Sequence, residues 1–477
     1  MPSVLFETSV NLETGSCCPV CLKPLKAVYR ERGDEILLEK ECPQHGFFSL
    51  TVWKGSPSWE DWQNRRLPGG KEISGSRCSL NCNTCTDHLE NICCVLLEVT
   101  NRCDQGCAFC FASAKQGFGQ TENSDPSLEE ISEWYSLLKK KGGQRPYNIH
   151  LSGGEPTLHN DLPRIIAMGK EQGFPYLQLN TNGRRIAEEP GYAESLKKCG
   201  LSVVFLQFDG TEDGIYRKIR GKKLFELKKR ALRTCREAGL PVVLAVTLVP
   251  GINTDKIGTI LDFAVGLVPF VKGVHFQPAT YFGRYPGEGT EGKRITLPEV
   301  LTAIETQTSG VFKTEHFYPS GSGHPGCAFH GQFLKSPEGK IRPKKRPRED
   351  SSRAQHLLSR DFVSSKWALP SQKDLIAKEP GETGGCCCSP VLVSDSGLKG
   401  WDEFLNTIRR ETFTITGMVF QDAWTVDFNR LSRCYVSVLS RKRHLIPFCA
   451  YNLTSSCGTP LFREQEEEAG ALKGPEL

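Results

Sequence analysis

The sequence predicts an α/β protein: a partial (βα)6 TIM-type barrel, with an N-terminal metal ribbon before it and a C-terminal cysteine-containing auxiliary domain after it. Three observations predict this. From residue 94, short apolar runs alternate six times with amphipathic stretches, the order that builds a parallel sheet with right-handed crossovers. Ahead of them, two cysteine knuckles flank a hairpin pattern. Behind them, cysteines recur in a last ordered stretch, Thr412 to Leu461.

Bulk properties bound the reading. At 477 residues the chain is too long for one ordinary core, and two to four domains are expected. Sixty basic against 55 acidic residues give a net charge of +5, too mild to imply a nucleic-acid partner. No window approaches the ~20 apolar residues of a transmembrane segment. The start, Met1-Pro2-Ser3-Val4-Leu5-Phe6-Glu7, lacks the segments of a secretory signal, so a cytoplasmic protein is expected. In that reducing compartment, 21 cysteines argue for metal ligands rather than disulfides.

The first unit, residues 1–60, holds Cys18-Pro19-Val20-Cys21 and Cys42-Pro43-Gln44-His45-Gly46. Between them, Lys26 to Arg32 and Glu35 to Lys40 read as two strands turning at Gly33-Asp34. Cys18, Cys21, Cys42 and His45 are then the ligands of a zinc ribbon or a rubredoxin-like mononuclear iron site. Cys17 is the alternative to His45. Trp53 to Gly75 reads as a connector. Within residues 61–93, Cys78, Cys82 and Cys85 form a CxxxCxxC triplet, read as ligands of an auxiliary cluster, with a second structural zinc as the alternative.

The barrel is expected over residues 94–310. Its first strand, around Val95 to Val99, leads into Cys103, Cys107 and Cys110, a second CxxxCxxC triplet. One compact loop can present three thiolates to a [4Fe–4S] cluster and leave the fourth iron open. Next, Ser127-Leu128-Glu129-Glu130 opens a helix whose apolar face is Ile131, Trp134, Tyr135 and Leu138. Strands follow at Tyr147–Leu151, Tyr176–Leu179, Val203–Phe208, Val242–Val249 and Gly273–Gln277. Their helices lie at 162–171, 193–198, 224–238 and 254–267. Such a fold places its chemistry at the C-terminal ends of the strands.

The Cys103 triplet, with Phe109 before its last cysteine, resembles the cluster motif of radical S-adenosylmethionine (radical SAM) enzymes. Strand two exits into Ser152-Gly153-Gly154-Glu155-Pro156, which resembles the family's GGE motif. By itself that string reads as a turn. On this strand exit, the resemblance implies that Gly153 and Gly154 allow close backbone approach and that Glu155 holds the methionine amine of SAM. Strand three exits into Asn180-Thr181-Asn182-Gly183, at the family's ribose-contacting position, or simply a glycine turn. Asp209, after strand four, is a contact to SAM or substrate, or a turn or cap residue. The resemblance implies a [4Fe–4S] cluster, SAM, and a reductant such as flavodoxin or ferredoxin. It also implies cleavage of SAM to a 5′-deoxyadenosyl radical, with the barrel positioning the cofactor.

The C-terminal auxiliary domain is expected over residues 311–465, with a basic linker at 335–380 and a disordered tail from 466. Lys340 to Arg353 reads as a solvated surface stretch. Cys327, Cys434 and Cys449, with Cys457, could complete one or more auxiliary [4Fe–4S] clusters, and Cys386-Cys387-Cys388 suits metal transfer, redox chemistry or a reactive thiol, or is simply part of a disordered tract. The paired N-terminal knuckles, the double triplet and Ile446-Pro447-Phe448-Cys449-Ala450-Tyr451-Asn452 resemble one branch of the superfamily. That branch contains the archaeal tetraether lipid synthase and radical SAM pterin methylases. This chain departs from it in having Ser320 to Gly323, not a cysteine, before Cys327. Three functions stand: carbon–carbon bond formation or methylation at an unactivated carbon; peptide modification with auxiliary clusters; and non-catalytic electron transfer. The organic substrate is lipid, pterin-like or peptide.

Overall fold

The computed structural model describes residues 12–65, 92–116, 125–286, 294–320, 323–336, 338–344 and 411–463. Cys78, Cys82, Cys85 and Cys386 to Cys388 lie outside the described residues, as does much of the basic linker.

The ribbon forms where its hairpin was expected. β1 (Leu12–Cys17), β2 (Pro24–Arg32), β3 (Glu35–Cys42) and β4 (Gly46–Lys54) make an antiparallel sheet in sequence order. Arg32 faces Glu35 across the turn, where Gly33 takes φ +66°. The connector expected after Trp53 is instead ordered at its start. Helix Trp59–Asn64 buries Trp62 completely, and its Nε1 donates to the Pro325 carbonyl at 3.0 Å. Aromatic burial outweighs the polar, Pro-rich composition that suggested a linker.

The second sheet carries the barrel. β5 (Cys94–Thr100) is followed by a two-residue pair, β6 (Arg102–Cys103) and β7 (Lys115–Gln116). Then come β8 (Asn148–Gly153), β9 (Leu177–Thr181), β10 (Val203–Gln207), β11 (Val242–Leu248) and β12 (Val271–Pro278). β5 and β8 to β12 pair in parallel, in that order. The expected helix faces are present: Leu128–Gly142 buries Ile131, Trp134, Tyr135 and Leu138 behind a Ser127–Glu130 capping box. Two further helices, Arg184–Glu188 and Asp213–Arg220, are too short to show a period in sequence.

The C-terminal segment extends this sheet at both edges. After β13 (Tyr318–Pro319), β14 (Ala328–Lys335) and β15 (Ile341–Pro343), β16 (Thr412–Met418) lies parallel beside β12 and pairs with β14 on its other side. At the opposite edge, β17 (Val436–Leu439) pairs in parallel with β5, and β18 (Leu445–Pro447) follows antiparallel. The result is one twelve-stranded sheet. Ribbon and C-terminal segment also touch: Thr14 Oγ1 donates to Asp427, Ser16 Oγ to the Val426 carbonyl, and buried Lys40 to the Ala423 carbonyl.

Strand alternation separates two environments. Val95, Leu97 and Val99, with Ile149, Leu151, Leu177, Leu179, Val204 and Leu206, join the main core against the helices. Of the residues between them, Leu96, His150, Gln178 and Phe205 line the lumen.

Candidate active site

The cluster loop is set down on the mouth of that lumen. Cys103, Cys107 and Cys110 line one cavity of about 570 Å³, together with Phe109, Gly153, Gly154, Glu155, Asn180 and Thr181. The loop is fixed from two sides. Cys110 exchanges backbone hydrogen bonds with Arg284 at 2.8 and 2.9 Å, while Arg284 also donates from Nε to the Cys107 carbonyl at 3.0 Å. Gly283 must be glycine here, because a Cβ would lie 2.4 Å from the Cys110 carbonyl oxygen and its φ is +64°. From below, the amides of Gly154 and Glu155 each donate at 2.8 Å, to the Thr100 and Arg102 carbonyls. The glycines of the Ser152–Pro156 turn thus serve a close approach to the cluster loop itself: a Cβ on either would come within 2.1 Å of those carbonyl oxygens.

Glu155 links two strand exits. Its carboxylate accepts from Thr157 Oγ1 and Thr181 Oγ1, both at 2.6 Å, and from the Asn182 amide at 2.7 Å. Burial pushes its pKa up, and these donors pull the other way. Asn182 in turn donates to Asp104 in the cluster loop at 2.7 Å. The expected ribose-contact residues therefore join the Glu155 turn and the cluster loop into one unit. Asn180 lies on the cavity wall and accepts from Gln178.

Asp209 occupies a different place from the one expected. It is fully buried, and Arg220 takes its carboxylate in a two-point ion pair at 2.7 and 2.9 Å, with the Gln207 amide also donating. The group that reaches the cavity is Arg220. Burial opposes its charge, but the Asp209 carboxylate holds it protonated, and Cys107 lies beside it. Sequence reading missed Arg220 and Arg284, since one sits in a short helix and the other in a Gly/Pro loop.

The residues fit a cluster. Three thiols from one loop face the cavity, and burial pushes the Cys103 thiol up to about 12, so its thiolate requires a cation beside it. In the ribbon, the ligand atoms of Cys18, Cys21, Cys42 and His45 lie within 4.8 Å of one another, a mononuclear metal spacing. His45 Nδ1 is 3.5 Å from Cys18 Sγ and 3.4 Å from Cys42 Sγ. Cys17 is fully buried and turns away, toward the Ala423 carbonyl. Arg430 is buried with its Nε 3.5 Å from Cys327 Sγ, and its charge acts on Cys434 and Cys449 as well.

A three-cysteine loop above a glycine-shaped cavity, on a partial parallel barrel, defines an iron–sulfur enzyme of the radical SAM type. Residues 97–264 match the radical SAM superfamily, and residues 11–54 match the HMPTM N-terminal zinc ribbon domain. The chain is 30% identical over 495 residues to the 7,8-dihydro-6-hydroxymethylpterin dimethyltransferase of Methanocaldococcus jannaschii, covering 96% of itself and 95% of that protein. It belongs to the radical SAM superfamily, in the branch that includes this dimethyltransferase. It is 33% identical over 216 residues to the Fe-coproporphyrin III synthase of Methanosarcina barkeri, 44% of this chain and 49% of that one. Among solved structures, Streptococcus suis SuiB bound to its precursor peptide SuiA is similar with a TM-score of 0.36 and 16% identity, over 46% of this chain and 47% of that chain. Among the described residues, no helix is long and apolar enough to cross a membrane.

Proposed function

We propose that this enzyme is a radical SAM methyltransferase whose substrate is a reduced pterin-type heterocycle. The observation that carries the reading is the end-to-end similarity to the pterin dimethyltransferase, which runs through ribbon, barrel and C-terminal segment alike. Cys103, Cys107 and Cys110 would hold the [4Fe–4S] cluster, and Gly153, Gly154, Glu155, Asn180 and Thr181 would flank SAM. When bound, the two together supply a 5′-deoxyadenosyl radical that can take hydrogen from an unactivated carbon. The chain's own task is positioning. Arg284 and the Gly153–Gly154 turn hold the loop from opposite sides, Glu155 ties strand exits two and three together, and Arg220 places a fixed positive charge beside Cys107.

The cavity supports a small substrate. At about 570 Å³, bounded by C-terminal strands on both sheet edges, it lies in the size range of small-molecule sites. Cys18, Cys21, Cys42 and His45 would hold zinc or a single iron, and Cys327, Cys434 and Cys449 a further iron–sulfur group with Arg430 as counter-charge.

The test is anaerobic reconstitution with SAM, a strong reductant and 6-hydroxymethyl-7,8-dihydropterin, followed by mass spectrometry. Expected are 5′-deoxyadenosine, absent with Cys107→Ala, and a pterin heavier by one or two CH2 increments, each C–H replaced by C–CH3, with S-adenosylhomocysteine left where SAM gives up the methyl group. Deoxyadenosine with an unaltered pterin overturns the substrate. A coupled product of another mass favours carbon–carbon bond formation.

A further inference from the structure

Below the cluster loop, the lumen wall combines apolar side chains with neutral hydrogen-bonding ones, His150, Gln178, Asn180, Gln207, His275 and Thr416 among them. The charged residues on the cavity wall are Glu155 and Arg220, each engaged near the loop, and Lys344 beyond β15. Deeper, His150 and Gln178 stand side by side in one register row of β8 and β9. His275, Thr416 and His330 share another row, across β12, β16 and β14. Tyr176, Val203 and Val243 close the floor against Phe205.

One chain of hydrogen bonds fixes a proton in this layer. Tyr176 Oη donates to Gln178 Oε1 at 2.9 Å, which orients the amide. Gln178 Nε2 then donates to Asn180 Oδ1 at 2.8 Å and meets His150 Nδ1 at 3.4 Å. His150 Nδ1 is therefore the acceptor, and the proton of the neutral ring sits on Nε2. Nε2 is buried and has no hydrogen-bond partner among the described residues. Burial holds both lumen imidazoles neutral, pushing His150 down to about 3 and His275 to about 4. A buried donor oriented this firmly, yet unmet, marks the place of a ligand acceptor. Phe205, whose ring centroid is 5.4 Å from that of His275, adds a flat apolar wall.

We propose that His150 is a substrate-binding residue, whose Nε2–H donates to a ring carbonyl oxygen or ring nitrogen of a planar, uncharged nitrogen heterocycle seated among His150, Gln178, Phe205 and His275. The choice of a pterin as first probe rests on the function proposed above. The class itself rests on the lumen: amides and neutral imidazoles donate to and accept from ring atoms without leaving an uncompensated charge buried beside an uncharged ring.

The experiment is calorimetric titration of the full chain with 6-hydroxymethyl-7,8-dihydropterin and, separately, guanosine, which shares the 2-amino-4-oxopyrimidine edge. Wild type is compared with His150→Phe and with His150→Gln, which keeps a donor near the Nε2 position. Thermal unfolding checks the fold, and His150→Ala replaces the Phe variant should that one fail to fold. Expected is pterin binding weakened about tenfold or more by His150→Phe and within about threefold of wild type for His150→Gln. Pterin binding that is unchanged in His150→Phe overturns the assignment of His150 and leaves the proposed function standing. Guanosine binding that depends on His150, with no pterin binding, upholds the assignment and removes the pterin substrate. Wild type that binds neither overturns both.

Discussion

The carboxylate of Asp209 and the guanidinium of Arg220 form a buried two-point ion pair at the cavity wall. Asp209 has the place of a ligand contact, after strand four, but its carboxylate is consumed by the arginine. Truncating Arg220 leaves that carboxylate buried without a charge partner, a loss of about 3–5 kcal/mol in comparable cases. Arg220→Met should therefore lower the urea unfolding free energy by several kcal/mol. Arg220→Met combined with Asp209→Leu should recover part of the loss. The lumen histidines give a pH dependence of definite sign. Their folded pKa values lie below the unfolded value of about 6.5, so the unfolded chain binds more protons as pH falls. Their contribution is complete above about pH 6.5 and is lost progressively toward the folded values near 3 and 4. His150 opens on the cavity, where water softens its share; together the two should cost about 2–4 kcal/mol between pH 7 and pH 5. Urea titrations at both pH values check this, and His150→Gln should shrink the drop relative to wild type.

At the scale of elements, the site is a contact between loops from three places in the chain. β5 exits into the cysteine loop, β8 exits into the Gly153–Gly154 turn beneath it, and the segment around Gly283 and Arg284 closes it from the other side. The turn can lie this close because it carries no side chain. A Cβ at Gly154 would stand 2.1 Å from the Arg102 carbonyl oxygen and 2.9 Å from that of Asn101, both backbone atoms that cannot swing aside. Gly154→Ala should displace the loop without unfolding the barrel, whose core lies on the other face of these strands. The expected outcome is near-wild-type thermal unfolding with markedly reduced iron and sulfide after reconstitution. Full cluster loading in that variant would show that the loop tolerates the shift.

At the scale of the molecule, the C-terminal segment does more than append cysteines. β16 covers the β12 edge of the six-stranded parallel sheet, and β17 covers the β5 edge. The segment around Asp422 to Asp427 receives the ribbon through Thr14, Ser16 and Lys40. Removing residues 411–477 should expose both edges and the ribbon's docking face at once. Unpaired edges template association. The truncated chain should elute as aggregate in size-exclusion chromatography, whereas a well-behaved monomer would show that the parallel core is self-sufficient.

Much of this was legible in the residues themselves. The order of strands and helices, the helix face of Ile131, Trp134, Tyr135 and Leu138, the four ribbon ligands and the Cys103 triplet follow from period and spacing, which are local properties of a chain. The lumen had a signal too. A strand in a parallel barrel core is expected to be continuously apolar, yet Asn148, His150 and Ser152, then Gln178 and Asn180, then His275 and Gln277, alternate polar with apolar. That alternation marks an inner face lined for a polar ligand. What only the tertiary structure decided is where distant residues meet. Arg220 claims Asp209, Arg284 clamps a loop more than 170 positions earlier in the chain, Cys17 turns away from the other ribbon cysteines toward the Ala423 carbonyl, and the last strands guard both sheet edges. Such pairings depend on packing across the whole chain, and no local pattern encodes them.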